Sequence, residues 1–181
     1  ISVGGNTWID SGTVTATGSG LAGVGVAGVA LGGNVDIDTH GSTDANGLFG
    51  VFALAGGGDA SITTGGYVNA LNGSGVNAIA AGGDATIDTT AGDVNSMYMG
   101  VGALALDGGV TIDTGNVHTT GGGFAGSGVV GIAVDLGAGS GDVDITTNGN
   151  VQVDNAVSGD GSFGVAGFAI GGNSTVTVNG N

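Results

Sequence analysis

Gly82-Gly83-Asp84-Ala85-Thr86-Ile87-Asp88-Thr89 is answered 25 residues on by Gly108-Gly109-Val110-Thr111-Ile112-Asp113-Thr114. The pentapeptides 85–89 and 110–114 alternate apolar and polar residues and are rich in β-branched side chains, the pattern of a half-buried strand. The same frame lies on either side: Val-Asp-Ile-Asp-Thr at 35–39, Ala-Ser-Ile-Thr-Thr at 60–64, Val-Asp-Ile-Thr-Thr at 143–147 and Ser-Thr-Val-Thr-Val at 174–178. Its markers are Gly4-Gly5-Asn6, Gly32-Gly33-Asn34, Gly57-Gly58-Asp59, the degenerate Gly108-Gly109 and Ser140-Gly141-Asp142, and Gly171-Gly172-Asn173. They divide the chain into repeats at 6–33, 34–58, 59–83, 84–108, 109–141 and 142–172, with a partial seventh at 173–181.

Two more apolar segments fall within each repeat. A short one centres on Val14, Val68, Val94, Val117 and Val151, and the repeat beginning at Asn34 has Gly-Ser-Thr-Asp-Ala in its place. The third is the most apolar: Val26–Leu31, Val51–Ala55, Val76–Ala81, Val101–Leu106, Ile132–Leu136 and Val165–Ile170. Three strands per repeat, separated by Gly/Asn/Asp corners, predict one all-β domain over 1–181, a three-sided parallel β-helix of about six coils plus a partial seventh. Coils spaced about 4.8 Å apart give a rod roughly 29 Å long. Ile37, Ile62, Ile87, Ile112, Ile145 and Val176 are expected to stack inward as a ladder. Asp36 and Asp38, and their counterparts in the other coils, point to solvent.

Composition agrees with that frame and narrows the function. Of 181 residues 45 are Gly, and Lys, Arg, Pro and Cys are absent, so the 15 acidic residues, all Asp, leave a net charge of −15. The strong helix formers Glu, Lys and Arg are missing, which counts against a helical fold. A 40% hydrophobic content and a mean hydropathy of +0.41 count against disorder. Without a cation the chain cannot neutralise phosphates, so nucleic-acid binding is excluded as a function. No apolar run reaches the roughly 18 residues of a membrane span, so this segment is not expected to insert into a bilayer. No basic leader stands at Ile1 and no cap is visible at either terminus. The expectation is a segment of a longer rod, or one that stacks end to end.

Certain segments resemble a known family. Thr111-Ile-Asp-Thr-Gly-Asn-Val117 with Gly131-Ile-Ala-Val134, and Asp144-Ile-Thr-Thr-Asn-Gly-Asn-Val151 with Gly164-Val-Ala-Gly-Phe-Ala-Ile170, look like the repeats of bacterial autotransporter passenger domains. They are also similar to filamentous-haemagglutinin-type adhesins. The resemblance implies a right-handed parallel β-helix that is secreted, attached to a cell surface, and often adhesive or fibrous.

Catalysis finds little support in the residues. His40 and His118 lie in different repeats, the carboxylates are dispersed, and no cation is present to stabilise developing negative charge. No enzyme and no cofactor are expected. Calcium is the one chemical alternative, through carboxylates brought together on adjacent coils: Asp10 with Asp38, Asp88 with Asp113, Asp59 with Asp84. Against it, Asp59 and Asp84 read equally as corner residues that cap backbone amides. Ice binding is disfavoured, because the outward pairs mix Thr with Asp and only Thr175-x-Thr177 is a pure threonine pair.

The third segment carries the anomaly. Val51, Ala53 and Ala55 alternate with Phe52 and Leu54, so both faces of the strand are apolar, whereas a solvated sheet face is normally polar. Val29, Leu31, Phe52, Leu54, Ile79, Leu104, Leu106, Phe168 and Ile170 would form an outward stripe for self-association. Asp135 is expected in the column of Leu54, Ile79 and Leu104, where it argues for a covered stripe, with the loops Asn116–Ser127 or Asp154–Ser162 folded over it. The expectation is therefore an extracellular structural protein whose partner is itself, laterally or end to end. The alternative is an adhesin that recognises a glycan or surface ligand through the longer insertions at 115–128 and 148–163.

Overall fold

The computed structural model describes residues 1–121, 126–137, 141–154 and 162–180. The first coil is β1 (Thr7–Ser11), β2 (Val14–Ala16) and β3 (Val26–Ala30), and the second is β4 (Val35–Thr39), β5 (Thr43–Ala45) and β6 (Phe49–Ala55). The third is β7 (Ala60–Thr64), β8 (Val68–Ala70) and β9 (Ser74–Ala80), followed by β10 (Ala85–Thr89), β11 (Val94–Ser96) and β12 (Val101–Leu106). Next come β13 (Val110–Thr114), β14 (Val117–Thr119) and β15 (Val129–Val134), then β16 (Val143–Thr147), β17 (Val151–Val153) and β18 (Val165–Ile170). The last strand is β19 (Ser174–Val178). A short 3-10 turn lies at Gly20–Gly23.

Each strand pairs with the strand three places along the chain, and these pairings are all parallel. The first sheet runs β1-β4-β7-β10-β13-β16-β19, the second β2-β5-β8-β11-β14-β17, and the third β3-β6-β9-β12-β15-β18. The chain is thus a three-sided β-solenoid, and the backbone ladders between coils hold it together.

Side-chain size explains how three sheets converge. From Ile37 to Ile145 the isoleucines of the first sheet stack in register, Ile62 on Ile87 on Ile112, and are fully buried. The third sheet meets them with a column of small residues, Gly28, Ala53, Ala78, Ala103, Gly131 and Gly167, aligned coil to coil. A Cβ built on Gly28 would come 2.6 Å from Val35 Cγ1 and 3.3 Å from Ile37 Cδ1, so large faces small across the lumen. A second glycine column precedes the third-sheet valines at Gly25, Gly50, Gly75, Gly100, Gly128 and Gly164. A Cβ at Gly50, Gly75, Gly100 or Gly128 would strike a Cγ1 of the second-sheet valine one coil on, namely Val68, Val94, Val117 and Val151. Each coil therefore turns from its second to its third face on a glycine.

Thr43 takes the valine position of the second sheet in the coil that lacks one, in register with Val14 and Val68. The fifth third-sheet strand is Val129–Val134, three residues ahead of the expected Ile132–Leu136. The anchor in that coil is Gly128-Val129, the same dipeptide that opens the other third-sheet strands, and the long insertion before it displaces the count. The insertions expected at 115–128 and 148–163 are described only in part, since 122–125 and 155–161 lie outside the described residues, as does Ser140 of one marker.

Candidate functional site: the outer face of the third sheet

Register fixes three outward columns on the third sheet. The central one is Val29, Leu54, Ile79, Leu104, Ile132 and Phe168. Toward the start of the strands runs Ala27, Phe52, Asn77, Gly102, Val130 and Ala166. Toward their ends run Leu106, Val134 and Ile170, preceded by Leu31, Gly56 and Ala81, each of which directly follows the paired alanine of its coil. None of these positions carries a charge, although Asp residues line the outer face of the first sheet and Asp44 stands on that of the second.

All nine residues expected in the stripe lie on this one face. Ile132 and Val134 belong to it as well, and the sequence reading missed them because it placed that strand three residues late. For the same reason Asp135 is not in the column of Leu54, Ile79 and Leu104. Ile132 stands there, and Asp135 follows the strand at the corner, where its backbone N–H donates to the Ile170 carbonyl at 2.8 Å.

The face is unevenly open. Leu31 is 55% and Ile170 61% exposed, and the central column is half-buried from Val29 to Ile132. The column at the strand starts is shielded in the middle coils, with Asn77 at 9% and Val130 at 2%. Met99 does part of this, since its thioether lies where a side chain on Gly102 would stand. Between Met99, Asn77, Ile79, Leu104, Val130 and Ile132 an apolar cleft of about 210 Å3 remains. The Asn77 Nδ2 is buried beside it and has no hydrogen-bond partner among the described residues. The loops expected to fold over the stripe, 116–127 and 154–162, are described only at 116–121, 126–127, 154 and 162.

The polar residues have structural work elsewhere. At the corner before the first sheet, each Asn or Asp side chain caps the next coil. Asn34 N–H donates to Asn6 Oδ1 at 3.0 Å, Asp59 N–H to Asn34 Oδ1 at 3.1 Å, and Asp84 N–H to Asp59 Oδ1 at 3.0 Å. Gly109 N–H continues to Asp84 Oδ1 at 2.8 Å, and Asn173 N–H donates to Asp142 Oδ1 at 2.7 Å. The pair Asp59 and Asp84 is thereby part of a backbone-capping ladder. Asp88 and Asp113 stand in register on adjacent strands. Asp10 and Asp38 do too, with His40 Nε2 3.1 Å from Asp10 and Nδ1 3.6 Å from Asp38. Each His40 nitrogen faces a different carboxylate, so these donors do not converge on a point. No group of three or more His, Cys, Asp or Glu among the described residues is arranged to hold a metal.

On the second sheet, Asn69 Nδ2 donates to Asp44 Oδ1 at 2.8 Å and Asn95 Nδ2 to Asn69 Oδ1 at 2.9 Å. The ladder ends in a shallow polar cleft of about 250 Å3 lined by Asp93, Asn95, Asn116, His118, Asn150 and Gln152. Beside it Gln152 Nε2 donates to Asp154 Oδ1 at 2.8 Å, and His118 Nε2 lies 2.8 Å from Asp154 Oδ2. The Gln152 hydrogen bond, then the one to His118, hold the Asp154 carboxyl below its ordinary value of 3.8.

No family model, curated protein or solved structure matches this chain.

Proposed function

We propose that this chain is a non-enzymatic structural rod that works outside the cell and joins copies of itself through the outer face of the third sheet, as a fibre, lattice or adhesive stalk. The observation that carries this reading is the uncharged, apolar outer face of β3, β6, β9, β12, β15 and β18 on a chain of net charge −15. Carboxylates on the other faces repel copies, so this is the face where two can meet without opposing charges. Six coils of about 4.8 Å and columns two residues apart, about 7 Å, make a patch of roughly 400–500 Å2. That is the size at which an exposed apolar surface marks an interaction site. The repeat style that resembles secreted passenger domains supports the extracellular placement, and a chain without Lys or Arg offers trypsin-like proteases no cleavage site.

The test is Leu54→Asn, Ile79→Asn and Leu104→Asn together. These side chains stand on the outer face, so circular dichroism should stay β-rich while assemblies seen by electron microscopy disappear. Unchanged assembly in the folded variant refutes the role of this face.

A second reading is favoured by the polar cleft on the second sheet. Its amides and carboxylates, next to the insertions at 115–128 and 148–163, suit neutral hydroxyl-rich ligands such as a glycan. Binding on a glycan array that is lost in Asn95→Ala and Asn116→Ala would support it, and no binding to any neutral glycan would remove it.

A further inference from the structure

Residues four apart on each third-sheet strand are matched in size across the central column. Phe52 accompanies Gly56, Leu106 accompanies Gly102, Leu31 accompanies Ala27, and Ile170 accompanies Ala166. Val130 and Val134 are equal, and Asn77 has the small Ala81. Within a flank the sizes swing widely from coil to coil, Phe52 to Gly102 on one side and Leu31 to Gly56 on the other. In four of the six coils, large is paired with small across the strand. Inside one molecule the Met99 thioether takes the space at Gly102, and a Cβ on Gly56 would come 2.6 Å from the Leu31 carbonyl oxygen, but neither contact sets the size of Leu106 or Phe52 across the central column.

Resting on the self-association reading above, we infer that two copies pack third sheet to third sheet about a two-fold axis that runs along the rod, with both chains ascending in the same direction. Such an axis places each coil against the same coil of the partner and reverses the strand direction across the interface. The flank at the strand starts then meets the partner's flank at the strand ends. Phe52 faces the notch at the partner's Gly56, and Leu106 enters the cleft beside the partner's Gly102, where Met99, Ile79, Leu104 and Ile132 supply an apolar wall. By symmetry each contact is made twice, as a closed dimer requires.

The other closed face-to-face arrangement turns one rod upside down, setting the first coil against the sixth. Leu31 would then meet Ile170, while Ala27 meets Ala166; in the middle coils Asn77, Gly102 and Val130 are buried within their own molecule and decide nothing. Bulky pairs would hold the sheets apart beside pairs too small to touch, and unfilled contacts of that kind forfeit packing. The upright pairing avoids this at the first, second and sixth coils, where neither flank is buried. The two faces together bury on the order of 1,000 Å2, near the lower bound of a specific interface, so association is reversible and concentration-dependent.

The chain has no cysteine, which allows a clean test. Val29 in the first coil and Phe168 in the sixth belong to the central column, which lies on the two-fold. Sheets packed face to face sit about 10 Å apart, within reach of a short bismaleimide. The upright pairing predicts covalent dimers from Val29→Cys alone and from Phe168→Cys alone. Dimers that form only when the Val29→Cys and Phe168→Cys proteins are mixed would overturn it in favour of the inverted pairing. Sedimentation of the uncrosslinked protein separates the two levels: dimers in solution with neither single variant crosslinking reject this geometry alone, and a monomer at every concentration rejects self-association as well. Leu106→Ala should weaken the dimer about tenfold or more, whereas Leu136→Ala, exposed beyond the end of its strand, should not. Equal effects would contradict the seating of Leu106 in the partner's cleft.

Discussion

Replacing Ile87 by Ala probes the stacked coils at their centre. Ile87 is fully buried, in register with Ile62 below and Ile112 above. The change removes three carbons from the middle of the ladder. Parallel backbone pairing on both sides holds the neighbouring coils at the strand spacing, and the facing column is already reduced to Ala78 and Ala103, so the wall has little side chain with which to fill the gap. Isoleucine-to-alanine changes in cores cost about 2–5 kcal/mol, and the upper values belong to sites that cannot collapse. A cost of about 3–4 kcal/mol follows, lowering Tm by roughly 6–16 °C for a chain of this size. Val176 occupies the same column on β19, pairs on one side only and is 42% exposed, so Val176→Ala should cost under about 1 kcal/mol. Urea denaturation followed by circular dichroism measures both. Equal costs for the two variants, or less than about 1 kcal/mol for Ile87→Ala, would refute the reasoning from stacked coils.

The other expectations concern polar groups. Asp84→Asn should be nearly neutral, since Asn6 and Asn34 make the same cap, while Asp84→Ala leaves the Gly109 amide without its acceptor and should cost about 0.5–2 kcal/mol in the same denaturation assay. The Thr89 and Thr114 hydroxyls are buried with no hydrogen-bond partner among the described residues, so Thr89→Val, which keeps the shape, should leave Tm unchanged or raise it; a clear loss would mean that the hydroxyl is bonded. Because the folded Asp154 carboxyl titrates below 3.8, its contribution to stability is present above that pH and is lost as pH falls through the lowered folded value. Asp154→Asn should flatten the acid limb of the stability curve below pH 3.8, and an unchanged limb would contradict the pairing with Gln152 and His118.

The solenoid was legible because its first strand is written almost without variation. The six pentapeptides from 35–39 to 174–178 coincide with β4, β7, β10, β13, β16 and β19 to the residue. Alternation on a half-buried strand and a glycine-rich corner are both local signals, and a fixed period turns them into a stack. The third strand was less secure, since with both faces apolar the alternation gives no phase. Its phase is carried by the glycine before the first valine, as at Gly128-Val129, and overlooking that dipeptide put Asp135 where Ile132 stands. The capping role of Asp59 and Asp84 was one of two readings in sequence, because the amide each one accepts belongs to the next coil and is brought near only by register. The cleft at Gly102 had no local signal: it depends on Met99, at the corner, laying its thioether across a position without a side chain. Size matching between Phe52 and Gly56, or Gly102 and Leu106, is present in the sequence but acquires meaning only once the strand is known to show that face to solvent.

Sedimentation equilibrium of the unmodified chain over a range of concentration and salt bears most directly on the third-sheet face. The prediction is an average mass that rises above the 16.7 kDa of one chain as concentration increases, and rises further with salt, which screens the repulsion between two molecules of net charge −15. A mass fixed at 16.7 kDa under all conditions would contradict it.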